Sequence, residues 1–171
     1  MSKISSKENK NLYFKKREEL GLTREEAYDL LESMPPERIE KIENERCIPH
    51  PDEVLLMAEK YKCPDLCNYF CSHQCEIGKQ YVPEVKIKDL SSIILNMVAS
   101  LNSVQKSQDN LIEIASDGSI QDNELEEFVK IQNELEKISI AVEALQLWSE
   151  QKLSDGTIDK EKYDKIIKKK K

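Results

Sequence analysis

Three segments near the N-terminus decide the fold: Phe14-Lys-Lys-Arg-Glu-Glu-Leu-Gly-Leu-Thr23, Ala27-Tyr-Asp-Leu-Leu31 and Arg38-Ile-Glu-Lys-Ile-Glu-Asn44. In each of them apolar residues recur at helical spacing, which predicts an amphipathic helix with one buried face. The segments are short and follow one another closely. We therefore expect a compact group of small helices in this part of the chain.

Start and stop signals separate these helices. Gly21 ends the first one, because glycine adopts the left-handed conformation of a helix end without strain. Thr23 and Glu26 have the spacing of a capping box, which predicts the start of a second helix that continues through Leu31. Pro36 suits a first helical position and predicts the start of a third helix.

Two more short helices are predicted after the third. A fourth opens at Asp52, after a proline-containing loop, and a fifth covers about 64–71. The stretch that comes next is irregular and contains glycine and proline, so it is the natural linker. The predicted organisation is a disordered tail at 1–8, a five-helix domain at 9–71, a cysteine-containing linker at 72–85 and a helical C-terminal domain at 86–171.

These N-terminal segments resemble the Cro/phage-repressor (XRE-type) helix-turn-helix family over about a third of the chain. The resemblance implies a charged pair between Arg17 and Glu43 that links the first helix to the end of the third. It also explains the small Ala27, since the second and third helices of this fold cross closely. The implied fold class is all-α: a five-helix repressor-type domain followed by a long antiparallel helical hairpin.

The family function is sequence-specific DNA binding, with the third helix in the major groove. The resemblance then implies a transcriptional regulator. The third helix is acidic, however, so two alternatives stay open: a protein-interaction module that keeps the fold without DNA binding, and a thiol or metal sensor. The candidate DNA-binding residues are Arg24, Pro36, Glu37, Arg38, Lys41 and Arg46.

Five cysteines are the least expected feature of the sequence, and four of them recur at every fourth position from Cys63. Two cysteines four residues apart share a helix face, which is a chelating arrangement. Cys63 lies at a helix end and is the least suited to join. Buried thiols and a redox switch are the alternatives, and His50 and His73 are alternative fourth ligands. The predicted zinc ligands are Cys47, Cys67, Cys71 and Cys75.

Composition excludes several classes of function. The 171 residues carry 35% charged and 39% hydrophobic side chains, with a net charge of −7. This is the composition of amphipathic helices, and it is not that of a strong non-specific DNA binder. We expect a cytoplasmic protein with no membrane segment. No nucleophile motif or phosphate-binding loop occurs, so we expect neither an enzyme nor a small-molecule substrate.

The C-terminal part carries two long apolar patterns whose steps alternate between three and four residues. This period predicts two helices with coiled-coil seams, joined by a turn at 116–119 into an antiparallel hairpin. A second turn at Asp155-Gly156 precedes a last short helix. We expect the hairpin to form a homodimer. The first seam has one polar interruption, at Gln108. The seams are Leu90, Ile94, Met97, Leu101, Val104, Leu111 and Ala115, and then Phe128, Ile131, Leu135, Ile138, Val142 and Leu145.

Overall fold

The computed structural model describes residues 10–116 and 118–169, with the side chains of 115 and 116 left out, and its regular structure there is entirely helical. The predicted tail at 1–8 lies outside the described residues. The ten helices of this part are α1 (Leu12–Glu19), α2 (Arg24–Leu31), α3 (Pro36–Glu43), α4 (Pro51–Lys60), α5 (Asp65–His73), α6 (Gly78–Tyr81), α7 (Leu90–Lys106), α8 (Gln108–Ser116), α9 (Leu125–Ser154) and α10 (Lys160–Lys168).

The caps that the sequence predicts for the first helices are confirmed. Gly21 has φ of +71° just after α1. The Thr23 hydroxyl accepts from the Glu26 backbone nitrogen at 3.2 Å, and the Glu26 carboxylate accepts from the Thr23 nitrogen at 2.7 Å. Pro36 is the first residue of α3. The Thr23–Glu26 pair satisfies two backbone N–H groups that a helix start otherwise leaves unpaired, and proline at the start of α3 has no N–H group to leave unpaired.

The helices differ from the sequence prediction at three places. Helix α4 starts at Pro51 rather than Asp52, because the Glu53 carboxylate accepts from the His50 backbone nitrogen at 2.6 Å and moves the cap outward. The stretch predicted as a linker contains the short α6. The first long pattern is divided at Ser107, next to its one polar interruption, so that α7 and α8 are separate helices.

One hydrophobic core joins the first five helices. It combines side chains from every one of them with Met34, which lies in the turn before α3. Removing a side chain of this size from water contributes roughly 1.5–3 kcal/mol, so this cluster is the main source of stability here. The largest fully buried members are Tyr13, Leu31, Met34, Ile39, Ile42, Val54, Met57, Tyr61 and Leu66.

The chain divides into two compact units. One comprises the described residues up to Glu84 together with those from Glu150 onward, and the other spans Val85–Ser149. In the second unit Val85, Ile93 and Ala144 form the buried centre of a small apolar cluster. Neither the 30-residue α9 nor any other helix in the described part has the length and apolar character needed to cross a bilayer.

Candidate functional site

Arg17, Glu43 and Arg24 form a buried ionic network that ties α3 to α1 and α2. Arg17 donates to both oxygens of the Glu43 carboxylate, through Nε to Oε1 and through Nη2 to Oε2 at 3.1 Å. Arg24 donates from Nε to Oε2 at 2.9 Å. Only 8% of the Arg17 side chain and 2% of the Glu43 side chain is exposed. The charged pair that the resemblance implied is therefore present.

The network raises the pKa of Arg17. Burial alone would lower that pKa, but the hydrogen bond and negative charge of Glu43 outweigh it. The Arg17 guanidinium also donates from Nη1 to the Leu22 carbonyl, so the turn between α1 and α2 is held as well. A second link fixes α3, since Asn11 Nδ2 donates to the Ile42 carbonyl at 2.7 Å. Helix α3 is thus anchored from its inner side.

Arg38, one of the candidate DNA-binding residues, is turned inward. Its guanidinium donates from Nε and Nη2 to the two oxygens of Glu53, at 2.8 and 2.6 Å. Nη1 lies 3.0 Å from the Cys47 sulfur, and Nη2 also reaches the Ile48 carbonyl at 3.3 Å. All three nitrogens are engaged, so Arg38 positions the loop after α3.

The other candidate residues on α3 and beside it are more accessible. Lys41 and Glu37 are exposed, and Pro36 is half-buried at the helix start. Arg46 has 65% of its side chain exposed and lies 3.7 Å from a Glu40 oxygen. An ion pair this exposed contributes little and exchanges readily for another anion.

Carboxylates surround these cations. Residues 23–46 carry eight aspartates and glutamates but four lysines and arginines. Two of the four cations are paired with Glu43 and Glu53. The sequence analysis missed Glu53 and Glu40 as partners of the candidate residues. Glu53 had a usable signal, since it is the third residue of a helix that begins with proline, where a carboxylate caps the backbone.

Three of the four predicted zinc ligands lie on or just after α5. Cys67 and Cys71 lie one turn apart on that helix, and Cys75 follows its end, where the Gly78 nitrogen lies 3.5 Å from the Cys75 sulfur. Cys47 lies in the loop after α3, beside Arg38. Within the described residues, no group of three or more cysteine, histidine or acidic side chains is arranged to hold a metal ion. The zinc site stays a prediction, and the metal content of protein purified without a histidine tag tests it.

Burial makes the thiols of Cys63, Cys67 and Cys71 poor nucleophiles. It raises the pKa of Cys63 to about 11 and also raises the pKa values of Cys67 and Cys71. The alternative histidine ligands have other neighbours. His73 stacks on Tyr69 with ring centroids 4.7 Å apart, and His50 occupies the cap position of α4.

No protein-family model matches this chain, and neither do any curated protein or solved structure. Its function therefore has to follow from the chemistry of its own residues. Lys41 on α3 and Arg46 just after it are exposed cations that can bind an anionic partner, and they are the starting point for a functional proposal.

Proposed function

We propose that the five N-terminal helices form a repressor-type helix-turn-helix domain and that the protein is a DNA-binding transcriptional regulator. The observation that carries this proposal is the Arg17–Glu43–Arg24 network. It fixes α3 from its inner side, while Lys41 and Arg46 stay accessible on the other side. A helix that enters the major groove needs this arrangement, because its outward side chains must keep a fixed register against the bases.

The residues have separate roles in this proposal. Lys41 contacts a base edge or a phosphate from the middle of α3, and Arg46 contacts a phosphate from the loop that follows. Arg24 is held through Nε alone in its bond to Glu43, so its terminal nitrogens are directed to a phosphate near the start of α2. Glu37 accepts from a cytosine amino group, the hydrogen bond that makes a groove-facing glutamate favourable.

Three cations per domain give weak binding. Each neutralised phosphate contributes roughly 0.9 to the slope of log K against log salt, so one domain is expected to show a slope of about −3 at most. The acidic neighbours reduce the attraction further. We infer that two domains act together on one site, as regulators that bind paired half-sites do.

The hairpin proposed for the C-terminal part supports this arrangement. Ile93, near the start of α7, belongs to the same cluster as Ala144, late in α9. Val104, near the end of α7, lines a groove with Ile131, early in α9. The start of α7 thus lies near the later part of α9, and the end of α7 lies near its beginning. Two helices paired in this way form an antiparallel hairpin, which is a frequent building block of dimeric helical bundles.

Selection of genomic fragments by the purified full chain tests the function. We expect one enriched site with two-fold symmetry. Lys41→Ala combined with Arg46→Ala should weaken binding and reduce the salt slope by about 2 per domain. Lys162→Ala combined with Lys165→Ala is the matched control, because it removes the same charge from well-exposed positions of α10 and should leave the slope unchanged. Equal salt slopes for the two double variants would reject the α3 surface.

A protein-interaction module is the second candidate, and the eight carboxylates within 23–46 favour it. Such a surface attracts a basic protein partner and repels nucleic acid. This function predicts that no genomic fragment is enriched and that the protein captures a basic partner instead. Glu37→Lys combined with Glu40→Lys would then abolish capture. In a DNA-binding protein the same two changes would instead raise non-specific affinity for DNA and remove the selectivity for the base that Glu37 contacts.

A further inference from the structure

Helix α10 belongs to a strongly basic segment of an otherwise acidic chain. Residues 160–171 carry seven lysines and two acidic residues, whereas the rest of the chain carries 19 lysines and arginines against 31 acidic residues. The segment therefore has a net charge of +5 and the remainder a net charge of −12. At physiological ionic strength, acidic groups more than about 8 Å away are largely screened, so the segment attracts an anionic partner.

The same helix has an apolar side that is open to water. At 100° per residue, Tyr163, Ile166 and Ile167 fall within an arc of about 100°. Ile166 is 60% exposed, Ile167 is 44% exposed and Tyr163 is half-buried. Every residue of α10 keeps some exposure, so the helix is amphipathic without burying its apolar side in the folded chain. We call Tyr163, Ile166 and Ile167 the α10 apolar face.

Lysines border the α10 apolar face on both sides. Lys160 lies about 70° from the middle of the face in one direction, and Lys162 lies about 90° from it in the other. The two carboxylates are farther round the helix, Asp164 by about 110° and Glu161 by about 170°. A lysine stem can pack beside buried apolar groups while its ammonium group stays in water. This arrangement fits a partner that is apolar inside and negatively charged at its boundary.

We propose that α10 binds the surface of a lipid bilayer that contains anionic lipids. The helix lies in the plane of the bilayer, with the α10 apolar face just below the headgroups and its lysines at the headgroup phosphates. Its nine residues make a helix about 13 Å long, far too short to cross a hydrocarbon core of about 30 Å. A cluster of about four to eight lysines and arginines on an amphipathic helix is typical of segments that bind anionic headgroups.

Two other anionic partners fit this helix less well. Duplex DNA would use the lysines, but the exposed isoleucines gain nothing against a phosphate backbone. A groove on an acidic protein binds apolar anchors over several turns, at positions i, i+3, i+4 and i+7. Counted from Tyr163, the first three of these positions are apolar, but the fourth, position 170, is a lysine. The α10 apolar face thus has a single turn of anchors, which suits shallow insertion at a bilayer surface.

Flotation of the full chain with lipid vesicles, in the absence of DNA, tests this proposal separately from the proposed function. We expect binding to vesicles of phosphatidylcholine with about one-third phosphatidylglycerol, weakened by added salt, and little binding to phosphatidylcholine alone. Lys160→Gln combined with Lys162→Gln should lower the affinity about 25-fold, since each lysine near an anionic surface contributes roughly a factor of five. Ile166→Ser combined with Ile167→Ser should lower it at least about tenfold without any change in charge.

Matched control variants carry the same kinds of change outside α10. Lys130→Gln combined with Lys137→Gln removes the same charge from two lysines of α9 that are each 61% exposed. Ile112→Ser combined with Val129→Ser removes apolar side chains that are 60% and 42% exposed, close to the values for the two isoleucines of α10. Both control variants should bind the anionic vesicles as the wild type does.

Three results would overturn the proposal. The first is a wild-type chain that stays unbound in the presence of anionic vesicles. The second is a loss of binding in the control variants as large as in the α10 variants. The third is a loss in the lysine variant with full binding in the isoleucine variant, which would indicate a purely electrostatic contact of the kind that nucleic acid makes. The four residues changed in α10 are exposed, so a failure to fold does not account for lost binding.

Discussion

Arg17 on α1 holds both carboxylate oxygens of Glu43, the last residue of α3, in a site that is almost closed to water. Glu43 accepts from Arg24 at the same time, so one carboxylate serves two guanidinium groups on two other helices. Removing such an acceptor leaves a buried positive charge without its partner, whereas removing one donor leaves the carboxylate still paired. The network therefore has an asymmetry that substitutions can measure.

Glu43→Leu should be the most damaging change in this network. We expect it to lower the free energy of unfolding by about 3–5 kcal/mol, because it leaves the buried Arg17 guanidinium with only the Leu22 carbonyl. Arg17→Met should cost less, about 1–3 kcal/mol, since Arg24 still binds Glu43. Combining the two changes should recover part of the stability lost in Glu43→Leu. Urea denaturation measures each free energy of unfolding, provided that its linear dependence on urea concentration has the same slope in the variants as in the wild type.

Glu40→Leu is the control for this series, because Glu40 has a distant and partly exposed ion pair with Arg46. It should change the free energy of unfolding by less than about 0.5 kcal/mol. If Glu43→Leu costs no more than this control, the network does not hold α3 in place.

Glu53 should give the protein a stability term that disappears in acid. The hydrogen bonds from Arg38 hold the pKa of Glu53 below its ordinary value of 4.5, and the bond from the His50 nitrogen acts in the same direction against the effect of burial. The folded state then binds this proton less readily than the unfolded state. The stabilisation is complete above pH 4.5 and is lost as the pH falls through the lowered pKa of the folded state.

Glu53→Gln tests this term. At neutral pH the variant should be less stable than the wild type by about 1 kcal/mol, the size expected for a bidentate pair that keeps some contact with water. The difference should shrink steadily below pH 4.5, and thermal unfolding across this range measures it. Glu59→Gln, at an exposed position of the same helix, should leave the pH dependence unchanged. A constant difference between Glu53→Gln and the wild type at every pH would contradict the assignment.

Local signals in the sequence predicted the helix starts well and the tertiary partners of charged residues poorly. Thr23 and Glu26 are three residues apart, so their capping box needs no knowledge of the rest of the chain. The pair between Arg17 and Glu43 was predictable only through the resemblance, which supplied the distant partner. Arg38 was placed on the DNA side because its helical position was known, but its actual partner Glu53 comes from the next helix.

The division between α7 and α8 shows a second limit. The apolar seam continues on both sides of Ser107, so periodicity alone predicts one helix. Periodicity describes which side of a helix is apolar, but it carries little information on a single residue at which the backbone leaves the helix. The polar interruption at Gln108 was the one local sign of the break.

Gly78→Ala should disturb the contact between α5 and α6. A Cβ atom at this position would lie 2.1 Å from the Cys71 carbonyl oxygen, and a backbone atom cannot move aside as the end of a flexible side chain can. We expect a loss of about 1–3 kcal/mol in stability, as for other overpacked positions. Exchange of the Val82 amide, which donates to the Gly78 carbonyl at 2.7 Å, should accelerate. Gln80→Ala, at an exposed position of α6, should leave both properties near wild type.

Cys63 should be a very slow nucleophile in the folded protein. Burial raises its pKa from 9.0 to about 11, with a smaller opposing effect from Lys16. At neutral pH the thiolate fraction is then about 100-fold below that of an ordinary thiol, and the thiolate is the form that reacts and binds metal. Alkylation by iodoacetamide, followed at each cysteine by mass spectrometry, should be at least about 100-fold slower at Cys63 in the folded chain than in urea.

Lys16→Met sharpens this measurement, because it removes the one positive charge that lowers the Cys63 pKa. The variant should react still more slowly at Cys63, and in both proteins the rate should rise about tenfold per pH unit up to pH 10. A plateau below pH 9, or an equal rate in folded and unfolded chains, would mean that burial does not control this thiol.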